Sequence, residues 1–440
     1  MGESEAFEEF IKTAHNPKYA RVSRQTTTRD IQKYFTDCKA KLVETFGTSV
    51  NCVCLTSDIW YGNAKEDYLS VVAHYINSDW QLEKRVLGLV LIDVSHNGQN
   101  IADRVAYVLT DYGLTDKVFA VTLDNASSNA SAMLKLKPIL SHYLGFDVTD
   151  EPEYASFTLS GVYYPTSPLM IHYLVKIALH LKNYANDIHI RSVVQPMIDK
   201  YNKYWRGIPL LYSFAFILDP RAKMKGFTRV LRRLGGLTST DYSTYLVGTR
   251  ARLTDVYNKY EEKYGAVRLR RTDPPVLSGK SRSAWDEIYD DDGAAGLVSG
   301  SLPGTLNMSR DTSATSLLHA VRSSVSASNA SELVSYLDCD TVNHLTDDFN
   351  ILNWWHQHKL TYPVLSIMAK DILTVPVSTI SSESTFSMTG RIIEERRRNL
   401  KPEMVEMLTC IKDWEAAEAR LQQNVEDKEL EQAFEELYLD

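Results

Sequence analysis

Residues 51–126 constrain the fold more than any other stretch of the chain. NCVCLTSDIW (51–60), YLSVVAHYI (68–76) and RVLGLVLID (85–93) are runs rich in β-branched and aromatic residues, the last two parted by the turn-like NSDWQ. NIADRVAYVLTDYG (100–113) then changes to helical spacing and ends on a glycine stop. KVFAVTLDNAS (117–127) returns to a buried strand pattern that ends, like the first, on an aspartate at a small-residue turn. Three strands, a helix and a fourth strand predict an α/β fold. Two carboxylates, Asp58 and Asp124, stand at the ends of its first and fourth strands.

The remaining segments have different characters. Residues 1–50 are charged and helix-rich, 51–150 hold the α/β part, and 151–272 are mostly helical. Residues 273–345 turn to Pro, Gly, Ser and Asp and predict a flexible linker with one short helix near SELVSYL. Order returns at DDFNILNWWHQHKLTYPVLSIMAKDIL, within 346–420, and a later helix carries Met404, Leu408 and Ile411 on one face. Residues 421–440 form an acidic tail, and no internal repeat is present.

Charge and cysteine usage narrow the function classes. With 48 Lys and Arg against 56 Asp and Glu, the net charge of −8 argues against a chain that coats nucleic acid through bulk charge. Any DNA contact then depends on a local patch. DPRAKMKGFTRVLRR supplies one, because Arg221, Lys223, Lys225, Arg229, Arg232 and Arg233 follow Asp219 with no acid among them; a solvated helix face is the plainer reading. No apolar run reaches the roughly 18 residues a membrane span needs, and MGESEAFEEF is too acidic for a secretory signal. Five cysteines in 440 residues make no disulfide framework and suggest a reducing compartment. Cys52 and Cys54, one residue apart on a strand and without spaced histidines, do not have the spacing of a zinc site.

If the first and fourth strands are neighbours, Asp58 and Asp124 come together. Paired carboxylates hold hard cations such as Mg²⁺ or Mn²⁺, and such metals activate a water or a 3′-hydroxyl against a phosphodiester. Alone, two strand-end aspartates are more often turn formers or helix caps.

The chain as a whole resembles transposases of the hAT superfamily. LTSDIW, DNASSN and PVSTISSESTFSMTGRIIEERRRNLKPEMVEMLTCIKDW carry the likeness, joined by NPKYARVSRQTTTRDI, YNKYW, FILDPRAKM and the DDFNILNWW block in the family's order. In particular the chain is similar to RICESLEEPER-type proteins of plants, hAT transposases adopted by their hosts. The resemblance implies an RNase H-like mixed sheet, a helical insertion and a helical C-terminal dimerisation region. It places the acidic triad on Asp58, Asp124 and Glu383, with Asp58 and Asp124 as metal ligands if the enzyme is active. It also implies nuclear localisation and a homodimer, or a heterodimer with related hAT proteins. Trp354, Trp355, Tyr362, Pro363, Leu365 and Met368 are the expected dimer anchors, since aromatic-rich apolar surface is typical of interfaces. The alternative is that they complete the catalytic-fold core.

Two departures from the family pattern bear on activity. No Cys₂His₂ spacing of a BED zinc finger occurs, so the sequence-specific DNA reader is expected to be missing. Between Asp124 and Trp205 the family's CxxHxxNL and Arg-Trp-Asn-Ser/Thr motifs are also absent, and EYASFTLSGVYYPTSPLM runs straight into the late part of the insertion. These departures predict a catalytically silent protein that dimerises and touches DNA weakly. An active metal-dependent nuclease and a dimerisation module without DNA contact stay open as alternatives.

Overall fold

The computed structural model describes residues 4–61, 66–123, 127–140, 164–205, 207–269, 331–342, 349–393 and 400–419. Two N-terminal helices, α1 (Glu5–Ala14) and α2 (Arg24–Thr48), lead into β1 (Val53–Tyr61), β2 (Asp67–Ile76) and β3 (Leu82–Ile92). Then come α3 (Gly98–Asp111), β4 (Val118–Thr122) and α4 (Ser127–Leu136). A helical stretch follows: α5 (Leu169–Tyr184), α6 (Arg191–Trp205), α7 (Leu210–Ile217), α8 (Lys223–Thr238), α9 (Ser243–Tyr264) and α10 (Ala266–Leu269). The C-terminal part holds α11 (Glu332–Asp338), α12 (Ile351–His358), α13 (Pro363–Leu373), α14 (Ile380–Ile392) and α15 (Pro402–Ala419). The linker expected at 273–345 lies outside the described residues up to 330, and the acidic tail at 421–440 lies outside them entirely.

The sheet order is β3-β2-β1-β4. β1 pairs antiparallel with β2, and β2 with β3, whereas β1 and β4 are parallel. A parallel neighbour needs a crossover, and α3 supplies it. Asn97 caps α3 by accepting the Asn100 N–H at 2.9 Å. The glycine stop is Gly113, whose φ of +64° is the left-handed conformation a side chain resists. Gly98 is required for a different reason. A Cβ there would stand 2.4 Å from the Ser131 hydroxyl, so α3 and α4 can approach this closely only at glycine.

Because side chains alternate along a strand, the sheet feeds two cores. Val53, Leu55, Val71 and Val86 face α2, α3 and α15, meeting Leu42, Phe46, Ile101, Val105 and Trp414. Cys54 and Ile76 face the helical part, meeting Leu174, Phe214, Met368 and Ile372. The C-terminal region is therefore built into the same body as the sheet. Buried Asp371 of α13 joins its pieces, accepting from Cys52 Sγ at 3.0 Å and from Tyr260 OH at 2.8 Å. Burial pushes this carboxyl up to about 6, against the pull of those two hydrogen bonds.

β3 is an edge strand, and α15 covers its free backbone. The Val86 N–H donates to Asp413 Oδ2 at 2.8 Å, Trp414 Nε1 donates to the Val86 carbonyl at 2.9 Å, and the Leu89 N–H donates to Glu406 Oε1 at 3.3 Å. Side chains of a helix thus take the place of a fifth strand along that edge and close it to pairing with other chains.

Candidate functional site

Asp58 lies near the end of β1 and is half-buried. Its Oδ1 accepts the Ile59 N–H at 2.8 Å. Period-two alternation puts Asp58 on the same sheet face as Thr56 and Trp60, and both of these neighbours hold α14. Ser382 donates its hydroxyl to Thr56 Oγ1 at 3.3 Å, and the Phe386 ring stacks on Trp60 with centroids 6.1 Å apart. Glu383, in the first turn of α14 and exposed, is thereby seated beside the stretch of β1 that carries Asp58.

β4 converges on the same place. It runs parallel to β1 with Thr56 opposite Thr122, and Thr122 Oγ1 donates to the Pro376 carbonyl, just before α14, at 3.0 Å. The condition for bringing the two strand ends together, that the first and fourth strands are neighbours, is met as far as Thr122. Asp124 lies outside the described residues.

A buried polar chain lies beneath this corner. Thr56 and Ser382 are fully buried, and Thr56 Oγ1 is 3.3 Å from His74 Nε2. Burial, with Lys84 nearby, lowers His74 to about 3, so its ring is neutral at physiological pH. Neither Thr56, His74 nor Ser382 is legible as a site residue in the sequence, because nothing in their local pattern marks them. Carboxylate oxygens suit a hard divalent cation, and among the described residues no group of three or more His, Cys, Asp or Glu side chains is placed to hold one.

The basic stretch divides into two parts. Arg221 is buried, with its guanidinium bonded to both carboxylate oxygens of Asp219 at 3.1 and 2.9 Å and lying 4.3 Å from the centre of the Phe349 ring. Lys223 is buried too, donating to the carbonyls of Cys339 and Asp340 at 3.0 and 2.9 Å. Neither can meet a phosphate, so the expectation that Arg221 and Lys223 bind DNA is corrected. They tie the α7–α8 corner to the part of the chain that resumes at 331. Lys225, Arg229 and Arg232 remain exposed along one face of α8, and Arg233 is half-buried. Arg250 of α9 shares a groove with Lys225, floored by Met224, Leu246 and Ala251. The sequence hid that cation, since it sits on another helix.

Four of the six expected dimer anchors are corrected. Trp355, Leu365 and Met368 are fully buried and Tyr362 nearly so, all inside the helical core. Trp355 Nε1 donates to the Leu218 carbonyl at 3.0 Å. Trp354 and Pro363 are half-buried, and the Trp354 ring stacks on His358 at 3.8 Å. The aromatic cluster completes the core of the single chain.

Three family models match this architecture. Residues 56–145 match the ZBED1 RNase-like domain, 169–260 the hAT-like transposase RNase-H fold, and 332–415 the hAT family C-terminal dimerisation region. The chain carries hAT-family domains. Its mixed sheet lies in the RNase-like part and the helical stretch in the RNase-H-fold part, with the C-terminal hAT dimerisation region packed into the same body. Among its relatives, zinc finger BED domain-containing protein RICESLEEPER 2 of Oryza sativa subsp. japonica is 22% identical over 532 residues, spanning 93% of this chain and 71% of the relative. A putative AC transposase of Zea mays is 22% identical across 94% of this chain and 63% of its own length. Protein DAYSLEEPER of Arabidopsis thaliana is 22% identical across 82% of this chain and 63% of its own. The first alignment is longer than the whole 440-residue chain, so it passes over residues of the relative that have no counterpart here.

Proposed function

We propose that this hAT chain is a nuclear protein derived from a transposase, which self-associates, touches DNA weakly and no longer cuts it. The observation that carries the reading is the state of the interior. The acid-bearing elements are still braced together through Ser382 and Thr56, while the insertion motifs expected between Asp124 and Trp205 are missing from the sequence. The alignment with RICESLEEPER 2, which spans more residues than this chain has, supports a loss within the chain. Retained acids do not by themselves make an enzyme, because substrate positioning supplies much of an enzyme's rate, and the lost segment is where such contacts would be made. Nuclear placement follows from the family's origin in DNA transposition.

DNA contact is assigned to the exposed face of α8. Lys225, Arg229 and Arg232 stand at spacings of four and three residues, which lines them up along one side of a helix, and Arg250 extends the patch onto α9. The net charge of −8 opposes non-specific binding, so affinity should be low and strongly salt-dependent. With the full chain and a labelled random duplex, binding is expected to weaken steeply as salt rises. Changing Lys225, Arg229 and Arg232 together to Glu should reduce the slope of log affinity against log salt by about 2–3, roughly one for each phosphate that is no longer neutralised. Unchanged binding in the triple variant would remove α8 as the DNA face. Absence of any duplex binding at low salt would favour the module without DNA contact.

A further inference from the structure

The groove between α8 and α9 is an apolar trough with a cationic rim. Met224 and Leu246, packed against the helical core, form its floor, and exposed Val247 and Ala251 line it from α9. Lys225 of α8 and Arg250 of α9 stand exposed at its edges, and no carboxylate is among the described residues that line it. Its volume of about 580 Å³ leaves room for several side chains. A phosphate backbone meets the cations of such a site and leaves its apolar floor uncovered. An acidic helix with an apolar stripe satisfies both parts.

The chain itself carries a segment of that chemistry. ELEQAFEELYLD (429–440) holds five carboxylates and no Lys or Arg, and Leu430, Phe434 and Leu437 recur at i, i+4 and i+7. Wound as a helix at 3.6 residues per turn, it would flank that stripe with Glu431 and Glu435 on one side and Glu429 and Glu436 on the other. Carboxylates on both flanks match a groove with a cation on each helix. α1 is acidic and apolar as well, but its Glu8 is already held by Lys12 and Arg21. Residues 420–428 tether 429–440 to α15, and so short a link raises the local concentration of its end to the order of millimolar.

Resting on α8 as the DNA face for its consequence alone, we propose that residues 429–440 seat the Leu430–Phe434–Leu437 stripe in the α8–α9 groove of the same chain. Their carboxylates then lie against Lys225 and Arg250. The C-terminal segment thereby occupies cations that a duplex would use, and DNA binding requires its release.

The test replaces Phe434 of the full chain with the photo-crosslinking analogue p-benzoylphenylalanine, irradiates without DNA and maps the product by mass spectrometry. The expected product is a crosslink within one chain to residues 224–228 or 246–254. Val247→Asp is expected to abolish it with the circular dichroism unchanged, since Val247 is 72% exposed. No crosslink, one elsewhere in the body, one joining two chains, or one indifferent to Val247→Asp would overturn the docking. Duplex binding is the second readout. Leu430→Asp/Phe434→Asp, placed outside the folded body, is expected to raise duplex affinity several-fold, and an unchanged affinity would overturn the competition with DNA. If the crosslink forms as expected while neither wild type nor tail variant binds duplex, the docking stands and α8 fails as a DNA face.

Discussion

Trp355→Ala is expected to cost the folded chain about 3–5 kcal/mol, the range for deleting a large buried aromatic side chain. The ring is fully buried, contacts Tyr336 at 5.2 Å between centroids, and donates its indole N–H to the Leu218 carbonyl. Truncation opens a cavity and leaves that carbonyl without its donor, in the centre of the helical core. Trp354→Ala is the informative companion. Its ring is half-buried and lies against His358, so its loss is expected to be smaller by at least about 1–2 kcal/mol, because less apolar area returns to water. Denaturant unfolding of both variants checks this. Equal, small losses would mean that Trp355 is not a core residue and would reinstate it as a candidate dimer anchor.

The second large effect concerns Asp219. Its carboxylate holds the buried Arg221 guanidinium, and both side chains are fully enclosed. Asp219→Ala leaves a cation in the interior without its counter-ion, and breaking a buried pair from one side typically costs about 3–5 kcal/mol. Replacing both partners, as in Asp219→Ala with Arg221→Met, removes the stranded charge and is expected to recover part of that loss. Unfolding free energies of the single and double variants decide it. A single variant within about 1 kcal/mol of wild type would show that the pair is solvated, and would make Arg221 a candidate to meet a phosphate after all.

These two residues also show where the sequence is legible and where it is not. Strand runs, the helix between them and the glycine stop at Gly113 are readable, because each depends on spacing or conformation within a few residues. That β4 lies beside β1 is not readable, because the helix between β3 and β4 favours a parallel return to the sheet without fixing which strand it pairs with. Arg221 misleads because a run of cations looks the same whether solvated or buried. What buries it is the turn through residues 218–222, which brings the guanidinium back onto Asp219, two residues earlier, and beneath Phe349, far along the chain. Trp355 misleads for want of the same long-range information. An aromatic-rich segment fits an interface or a core equally well, and only its contact with Leu218 distinguishes them. The brace between Thr56 and Ser382 joins residues 326 positions apart through two ordinary hydroxyls, a pairing that no local pattern encodes.

The central claim is that the acids persist without the chemistry. Incubating the full purified chain with supercoiled plasmid in Mg²⁺ or Mn²⁺, beside Asp58→Asn, measures this most directly. The account predicts no nicking above background in either protein. Metal-dependent nicking by the wild type that disappears in Asp58→Asn would contradict it and make the chain a working nuclease.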